Sequence, residues 1–287
     1  TALSYGATEI AEKYRVPFVV DAGVGDDITQ RGFKYTFRTC CTAWDYARTS
    51  FDLMQNMIKP KKVGIIVENS LYGQSVGKHL QKLCQDAGLD IVVNEAYDAK
   101  TVDFAPIVIK VKQAQPEVLL VAQYINDAIQ LTNQLAQQGA KVNAIIGNGA
   151  GHTMPDYVRG CSGNAEGVFA TGAWAPDIKW PEVPAYVQRY KDKYNDMPEQ
   201  QGAISYLASW VLFDAIERAG SVEPEKITEA LRSTNLSSSI SGPIKFNDNG
   251  QVSVQPPCMQ IQQGRFVTVW PPELAAGQPI YPVPGTK

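Results

Sequence analysis

The sequence predicts a doubly wound α/β protein, and three observations carry that expectation. Short apolar, β-branched runs alternate with helical patterns along the chain. The runs are near-continuous in apolar character, as strands covered on both faces are. Residues 63–121 read strand–helix–strand–helix–strand without a break, and parallel strands need crossovers of that length.

Each element has its own signature. Residues 4–14 form a helix with Ala7, Ile10, Ala11 and Tyr14 on one side, Val16–Val20 a strand, and Asp21–Asp27 a Gly-rich loop. KYTFRT (34–39) is a short strand, and 43–58 a helix with Phe51, Met54 and Ile58 inward. VGIIVE (63–68) is bounded by two lysines and by the turn residues Asn69, Ser70 and Gly73. The next helix spaces Val76, Leu80, Leu83 and Cys84 by three and four residues until Gly88 stops it. IVVN (91–94) is a strand, Asp103 caps a helix carrying Ile107, Val108 and Val111, and VLLVAQ (118–123) is the third strand. Asn126 and Asp127 open a helix at 126–138 as caps, and Gly139 closes it. AIIGN (144–148) leads into GNGAGH, and GVFAT (167–171) is another strand. Helices over 181–195, 200–219 and 224–233 follow. The tail, 240–270, reads as strands joined by Asn-Gly and Gly turns.

A chain of 287 residues is long for one domain, and 44% apolar residues supply two packed lobes. With 19% charged residues, a net charge of −3 and no basic stripe, nucleic acid is not an expected partner. No apolar stretch is long enough to span a bilayer. The chain starts directly in a helical pattern, without a signal peptide, which suits a cytoplasmic or a processed secreted protein equally. Five cysteines make no metal spacing, and an odd count argues against a complete disulfide framework. Adjacent Cys40 and Cys41 pair only with strained geometry. Cys84 lies on an apolar helix face as a small hydrophobe, and the Gly- and Pro-rich surroundings of Cys161 and Cys258 leave both free to be exposed.

Ligands of doubly wound sheets bind at the carboxyl ends of strands, which points at Asn69–Tyr72 and Gln123–Tyr124. Four further signals, ITQRGFKYTFRT (28–39), ENSLYGQS (68–75), GPIKFNDNGQ (242–251) and VWPPELAAGQPIYPVP (269–284), occur in an order that resembles the type I periplasmic solute-binding proteins. More narrowly, the chain is similar to the leucine/isoleucine/valine-binding branch of ABC-transporter receptors. The resemblance covers the whole chain. It implies two doubly wound parallel-sheet lobes joined by three crossing segments near Thr42, Gly172 and Gly250, with a solute held in the cleft between them. The expected N-terminal lobe is 1–42 plus 173–249, and the C-terminal lobe 43–172 plus 250–287. Members of the family begin with a strand, a helix and a second strand ahead of the helix that starts this chain. The N-terminal lobe is therefore expected to be incomplete, and the chain to be the C-terminal portion of a larger mature protein.

The resemblance also implies site residues. Tyr72 and Tyr124 would lay their rings on the solute, an aromatic giving both area and a polar tip. Ala22, Gly23 and Val24 follow the strand at 16–20, and small residues there let backbone N–H groups approach an anion. Thr1 matches a hydroxyl that holds the solute's carboxylate, and Trp174 lies in a crossing segment as a ligand or hinge residue. Two departures matter. The family's carboxylate-binding threonine falls on Val24, and its ammonium-binding acid falls most nearly on Gly149. A buried ammonium without a carboxylate partner is costly. The expected solute is thus a small or aromatic carboxylate, unless Asp127 supplies the charge. A branched-chain or other amino acid is the alternative.

Catalysis is not expected. His79 lies among helix residues facing solvent, His152 near the cleft has no Ser or Cys partner, Asp26 and Asp27 cap the residues at 28–31, and GNGAG lacks the Lys-Ser/Thr of a phosphate loop. No metal or cofactor is implied. The resemblance implies a periplasmic receptor, monomeric when full length, whose ligand-closed lobes dock on the permease of an ABC importer. The rival within the same fold is the sensory domain of a regulator.

Overall fold

The apolar runs at 63–68, 118–122 and 144–148 pair side by side in one parallel sheet. The computed structural model describes residues 1–283 and divides the chain into two compact units. Unit 1 is Thr1–Asp45 with Pro176–Gln255, and unit 2 is Tyr46–Ala175 with Pro256–Lys287. Residues 284–287, the end of the expected C-terminal lobe and of the 269–284 signal, lie outside the described residues.

In unit 1, helix α1 (Ala2–Tyr14) precedes two parallel strands, β1 (Phe18–Val20) and β2 (Thr36–Arg38). A short 3₁₀ turn, Asp26–Ile28, lies between them where the sequence suggested caps for a helix. Helix α2 (Ala43–Met57) then carries the chain into unit 2.

Unit 2 holds a seven-stranded sheet. Five strands run parallel: β3 (Lys62–Glu68), β4 (Asp90–Tyr97), β5 (Val118–Ala122), β6 (Ala144–Asn148) and β7 (Phe169–Thr171). Helices α3 (Leu71–Asp86), α4 (Ala105–Ala114) and α5 (Ile125–Gln137) are the crossovers, and α6 (Pro155–Gly160) is a short helix the apolar pattern did not announce. One face packs Ile66, Val93, Leu119 and Val121 against Phe104, Val108, Val111 and Leu131 of the loop before α4, α4 itself and α5, all essentially without exposed surface. Each such side chain contributes on the order of 1.5–3 kcal/mol through burial.

The chain returns to unit 1 as α7 (Val183–Tyr194), α8 (Gln200–Ala219), α9 (Pro224–Arg232) and a small ribbon of β8 (Asn235–Leu236) with β9 (Ile244–Lys245). The expected tail hairpin is β10 (Cys258–Gln262) with β11 (Arg265–Trp270), added antiparallel to β7 at the edge of unit 2's sheet. Each passage between units lies a few residues beyond the expected one. Residues 250–255 stay with unit 1 because Gln251 hydrogen-bonds to Cys40 and Asn247 there.

Local expectations shift for identifiable reasons. Strand β4 runs on to Tyr97 because β3 pairs with it along its whole length. Gly73 is not a turn residue but sits in the first turn of α3, where a Cβ would strike the carbonyl oxygen of Glu68. Ser70 caps that helix through the Gly73 N–H at 3.3 Å. Asp103 lies one residue before the cap and still accepts the Ala105 N–H at 2.9 Å. Asn126 and Asp127 lie inside the first turn of α5, with Tyr124 at the cap. Cys161 and Cys258 are buried, as are Cys40, Cys41 and Cys84, and all five are free thiols. His79 is half-buried rather than solvent-facing.

His152 is fully buried against the Tyr157 ring, 4.9 Å between centroids, and burial pulls its pKa down to about 3. The folded imidazole is neutral, while the unfolded chain binds a proton near its usual pKa of 6.5. Stability should therefore fall as pH drops from 6.5 towards about 3, by roughly 1.4 kcal/mol per pH unit from this group. In urea titrations across that window, His152→Leu should lose a slope of about one proton. An identical slope in both proteins contradicts the assignment.

Candidate functional site

Each unit presents the carboxyl ends of its own strands, where ligands of such sheets bind. In unit 1 the chain leaves β1 at Val20 and turns through residues 21–25. Gly23 is needed there, because a Cβ would lie 2.7 Å from the Ser4 side chain and 2.8 Å from Ile28. Arg38, at the end of β2, has no exposed surface. Its Nη1 donates to the carbonyls of Gly23 at 2.9 Å and Gly25 at 2.7 Å, its Nη2 to Thr29 Oγ1 at 3.1 Å, and its Nε to Gln251 Oε1. Gln251 is held in turn by bonds from Nε2 to the carbonyls of Cys40 and Val252, at 2.8 and 2.7 Å. Burial lowers the Arg38 pKa, opposed by Cys40, Cys41, Asp26 and Asp45, and none of its hydrogen bonds goes to a carboxylate.

The structure brings Thr1 and Val24 together. Thr1 Oγ1 accepts the Val24 N–H at 3.3 Å, and the Val24 carbonyl accepts the Ala43 N–H at 2.7 Å. Val24 is buried and its backbone is committed, so it has no amide to offer an anion. Ala22 is exposed. Among the described residues, the amides of Ala22 and Gly23 make no hydrogen bond.

In unit 2 the carboxyl edge is organised by Asn148, the last residue of β6 and fully buried. Its Oδ1 accepts from Ser50 Oγ of α2 at 2.7 Å, its Nδ2 donates to the carbonyls of Val121 and Ile146 at 3.3 Å, and its carbonyl accepts the Tyr72 hydroxyl. Ser50 also shares a 2.7 Å bond with the Thr171 hydroxyl at the end of β7. Tyr72 is only 4% exposed, so its hydroxyl is a structural tie. Its ring meets Tyr124, 5.4 Å between centroids. Tyr124 is 45% exposed and is the aromatic that this edge presents to solvent. Burial chiefly raises its pKa, with Glu68 adding and a bond with Ser70 opposing.

Gly149 has φ 77° and ψ −160°, donates its N–H to the Thr171 carbonyl at 2.7 Å, and lies where a Cβ would meet the Tyr46 ring at 2.7 Å. It has a backbone reason to be glycine and carries neither an acid nor a free amide. Trp174 is buried. Asp127 is nearly buried too, accepts the Tyr97 hydroxyl at 3.2 Å, and has its pKa raised by burial first and by Glu68. Tyr97 in turn accepts from Gln123 Nε2 at 2.9 Å. Glu68 Oε2 and Gln123 Oε1 are buried without a hydrogen-bond partner.

The strand-end rule singled out Gln123, but the sequence pattern did not single out Arg38, Glu68 or Asn148 as functional. A signal was available. VGIIVE, VLLVAQ and AIIGN each close a buried apolar run on a polar side chain, and KYTFRT carries a cation, Arg38, one residue before its end. Elsewhere in unit 1, a cavity of about 260 Å³ is lined by Tyr206, Trp210 and Arg189, and by none of the expected site residues. Among the described residues, no group of three or more His, Cys, Asp or Glu side chains is arranged to hold a metal, and no helix is long and apolar enough to cross a membrane.

Comparison with known proteins places this geometry. The family model described as periplasmic binding protein matches residues 1–265. The Leu/Ile/Val-binding protein homolog 8 of Brucella abortus (strain 2308) is 29% identical over 286 residues, covering 94% of this chain and 71% of the relative. A crystal structure of the leucine binding protein LivK from Thermotoga maritima superposes with a TM-score of 0.87 at 25% identity, covering 94% of this chain and 76% of that one. The solute binding protein of an R. palustris ABC transporter, solved in complex with benzoate, shares the fold with a TM-score of 0.80 at 16% identity, covering 91% and 72%.

The Gly149 conformation generates a stability prediction. Gly149→Ala should cost about 1–3 kcal/mol from the disallowed backbone, before any contact with Tyr46. The urea midpoint measures it, and a variant as stable as the parent contradicts the geometry.

Proposed function

The chain belongs to the periplasmic binding protein family, a family of solute-binding receptors rather than enzymes, and on that premise we propose that it is the extracytoplasmic receptor of an ABC importer for a small carboxylate, aromatic acids foremost. One observation carries the carboxylate: at the end of β1, the Ala22 and Gly23 amides have no internal partner and stand beside the Thr1 hydroxyl's bond to Val24. Backbone N–H groups in such a concavity suit an anion. Tyr124 supplies an exposed ring for an apolar body, propped by Tyr72. The permease is the partner that this reading requires. Thr1, Ala22 and Gly23 are the proposed contacts to the solute's carboxylate and Tyr124 the proposed contact to its body; Val24 is tied to Thr1, and Tyr72 props Tyr124.

A branched-chain amino acid is the second reading, and the names of the Brucella and Thermotoga relatives favour it. Against it, the position expected to hold an ammonium partner is Gly149, and the nearby Asp127 already accepts from Tyr97. An amine held without a counter-ion loses on the order of 3–5 kcal/mol, enough to turn micromolar binding into millimolar or weaker. The benzoate complex of the R. palustris protein indicates that the fold accommodates an aromatic acid.

A thermal-shift screen tests the two readings against each other. Benzoate and phenylacetate should raise the melting temperature more than leucine, isoleucine or valine. A large shift with leucine and none with any deaminated acid refutes the carboxylate reading. For the best acid, Tyr124→Ala should weaken binding by about 1–3 kcal/mol through lost aromatic contact. Calorimetry within about twofold of the parent removes Tyr124 from the site.

A further inference from the structure

We propose that Arg38 is the positioning residue that gives the loop at 21–25 its affinity for an anion, an inference that rests on the carboxylate reading above. The Gly23 carbonyl and the Val24 N–H belong to one peptide group. Arg38 Nη1 donates to that carbonyl at 2.9 Å, and that N–H donates to Thr1 Oγ1 at 3.3 Å. A hydroxyl that accepts a hydrogen bond keeps its own hydrogen to donate. The three groups therefore form a chain running from a fixed positive charge to a hydroxyl with its hydrogen free to donate. Each bond in such a chain polarises the next.

The charge balance points the same way. Arg38 is fully buried, and four of its five donors go to two carbonyls, a hydroxyl and an amide oxygen, none of them charged. Cys40 does not serve as counter-ion, because burial pushes its thiol up to about 12 and leaves it neutral. Asp26 and Asp45 bear on Arg38 through space, but neither accepts one of its hydrogen bonds, and Asp45 is occupied by the N–H and the hydroxyl of Thr42, both at 2.8 Å. A buried charge with no carboxylate hydrogen-bonded to it is costly. An anion on the free amides of Ala22 and Gly23 provides a counter-charge, across a single peptide layer. A neutral solute of the same shape gains the donors but not the charge. Lysine cannot reproduce the fork that holds Gly23, Gly25, Thr29 and Gln251 together.

The experiment compares each acid with its primary amide by calorimetry: benzoate with benzamide, phenylacetate with phenylacetamide, and leucine with leucinamide. It uses the full chain and the variants Arg38→Gln, Arg38→Lys and Thr29→Asp. The parent should bind at least one acid about tenfold or more tightly than its amide. Arg38→Gln should collapse that ratio, and Arg38→Lys should restore part of it. Thr29→Asp sets a carboxylate against the guanidinium while leaving it in place, so it should lower the ratio even if Arg38→Gln fails to fold. Acid and amide weakened equally by every variant, with the ratio kept, makes Arg38 a structural residue only; that outcome overturns this inference and leaves the carboxylate reading standing. A parent protein that binds no acid more tightly than its amide overturns both.

Discussion

The Asn148 side chain is buried at the end of β6, and its hydrogen bonds decide where the surrounding loops of unit 2 can go. It receives Ser50 from α2, reaches back to Val121 on β5, and its carbonyl takes the Tyr72 hydroxyl from the first turn of α3. A buried amide left unpaired costs about 1–3 kcal/mol per group, so each of these elements is held in one register. The exposure of Tyr124 follows, because its neighbour Tyr72 is pinned. The glycine at 149 follows as well, because the chain must turn sharply past Tyr46 while its N–H stays on Thr171.

The two units solve the same problem with opposite charge. The edge of unit 1 is built around a buried guanidinium that gathers carbonyls and leaves amides free. At the edge of unit 2 the Tyr97 hydroxyl accepts from the Gln123 amide nitrogen and donates to Asp127, while one oxygen each of Gln123 and Glu68 is buried without a hydrogen-bond partner. Burial raises the Asp127 pKa, and the neighbouring Glu68 raises it further.

Much of this was legible in the sequence. The parallel strands at 63–68 and 118–122 announced themselves because a strand buried on both faces has no polar positions to spare. Tyr72 and Tyr124 were found by the rule that binding loops follow such strands. What they do was not legible: at equal spacing from their strands, one is a buried tie and the other an exposed ring, and only the reach of Tyr72 to Asn148 separates them. Val24 and Thr1 are 23 residues apart, and their bond depends on how α1 lies against the loop. The cysteines at 161 and 258 sat in turn-like sequence yet are buried, one beside α6 and the other on β10, whose pairing with β7 is long-range. Arg38 looked like an ordinary strand-end cation because burial is a tertiary property.

The most direct test of the account is the response of individual backbone amides to a carboxylate, followed by ¹⁵N-resolved NMR during a benzoate titration. The Ala22 and Gly23 amide protons should move downfield as they acquire an acceptor. Val24, whose N–H is already given to Thr1, should move less. Saturable binding that leaves the Ala22 and Gly23 resonances where they were would contradict it.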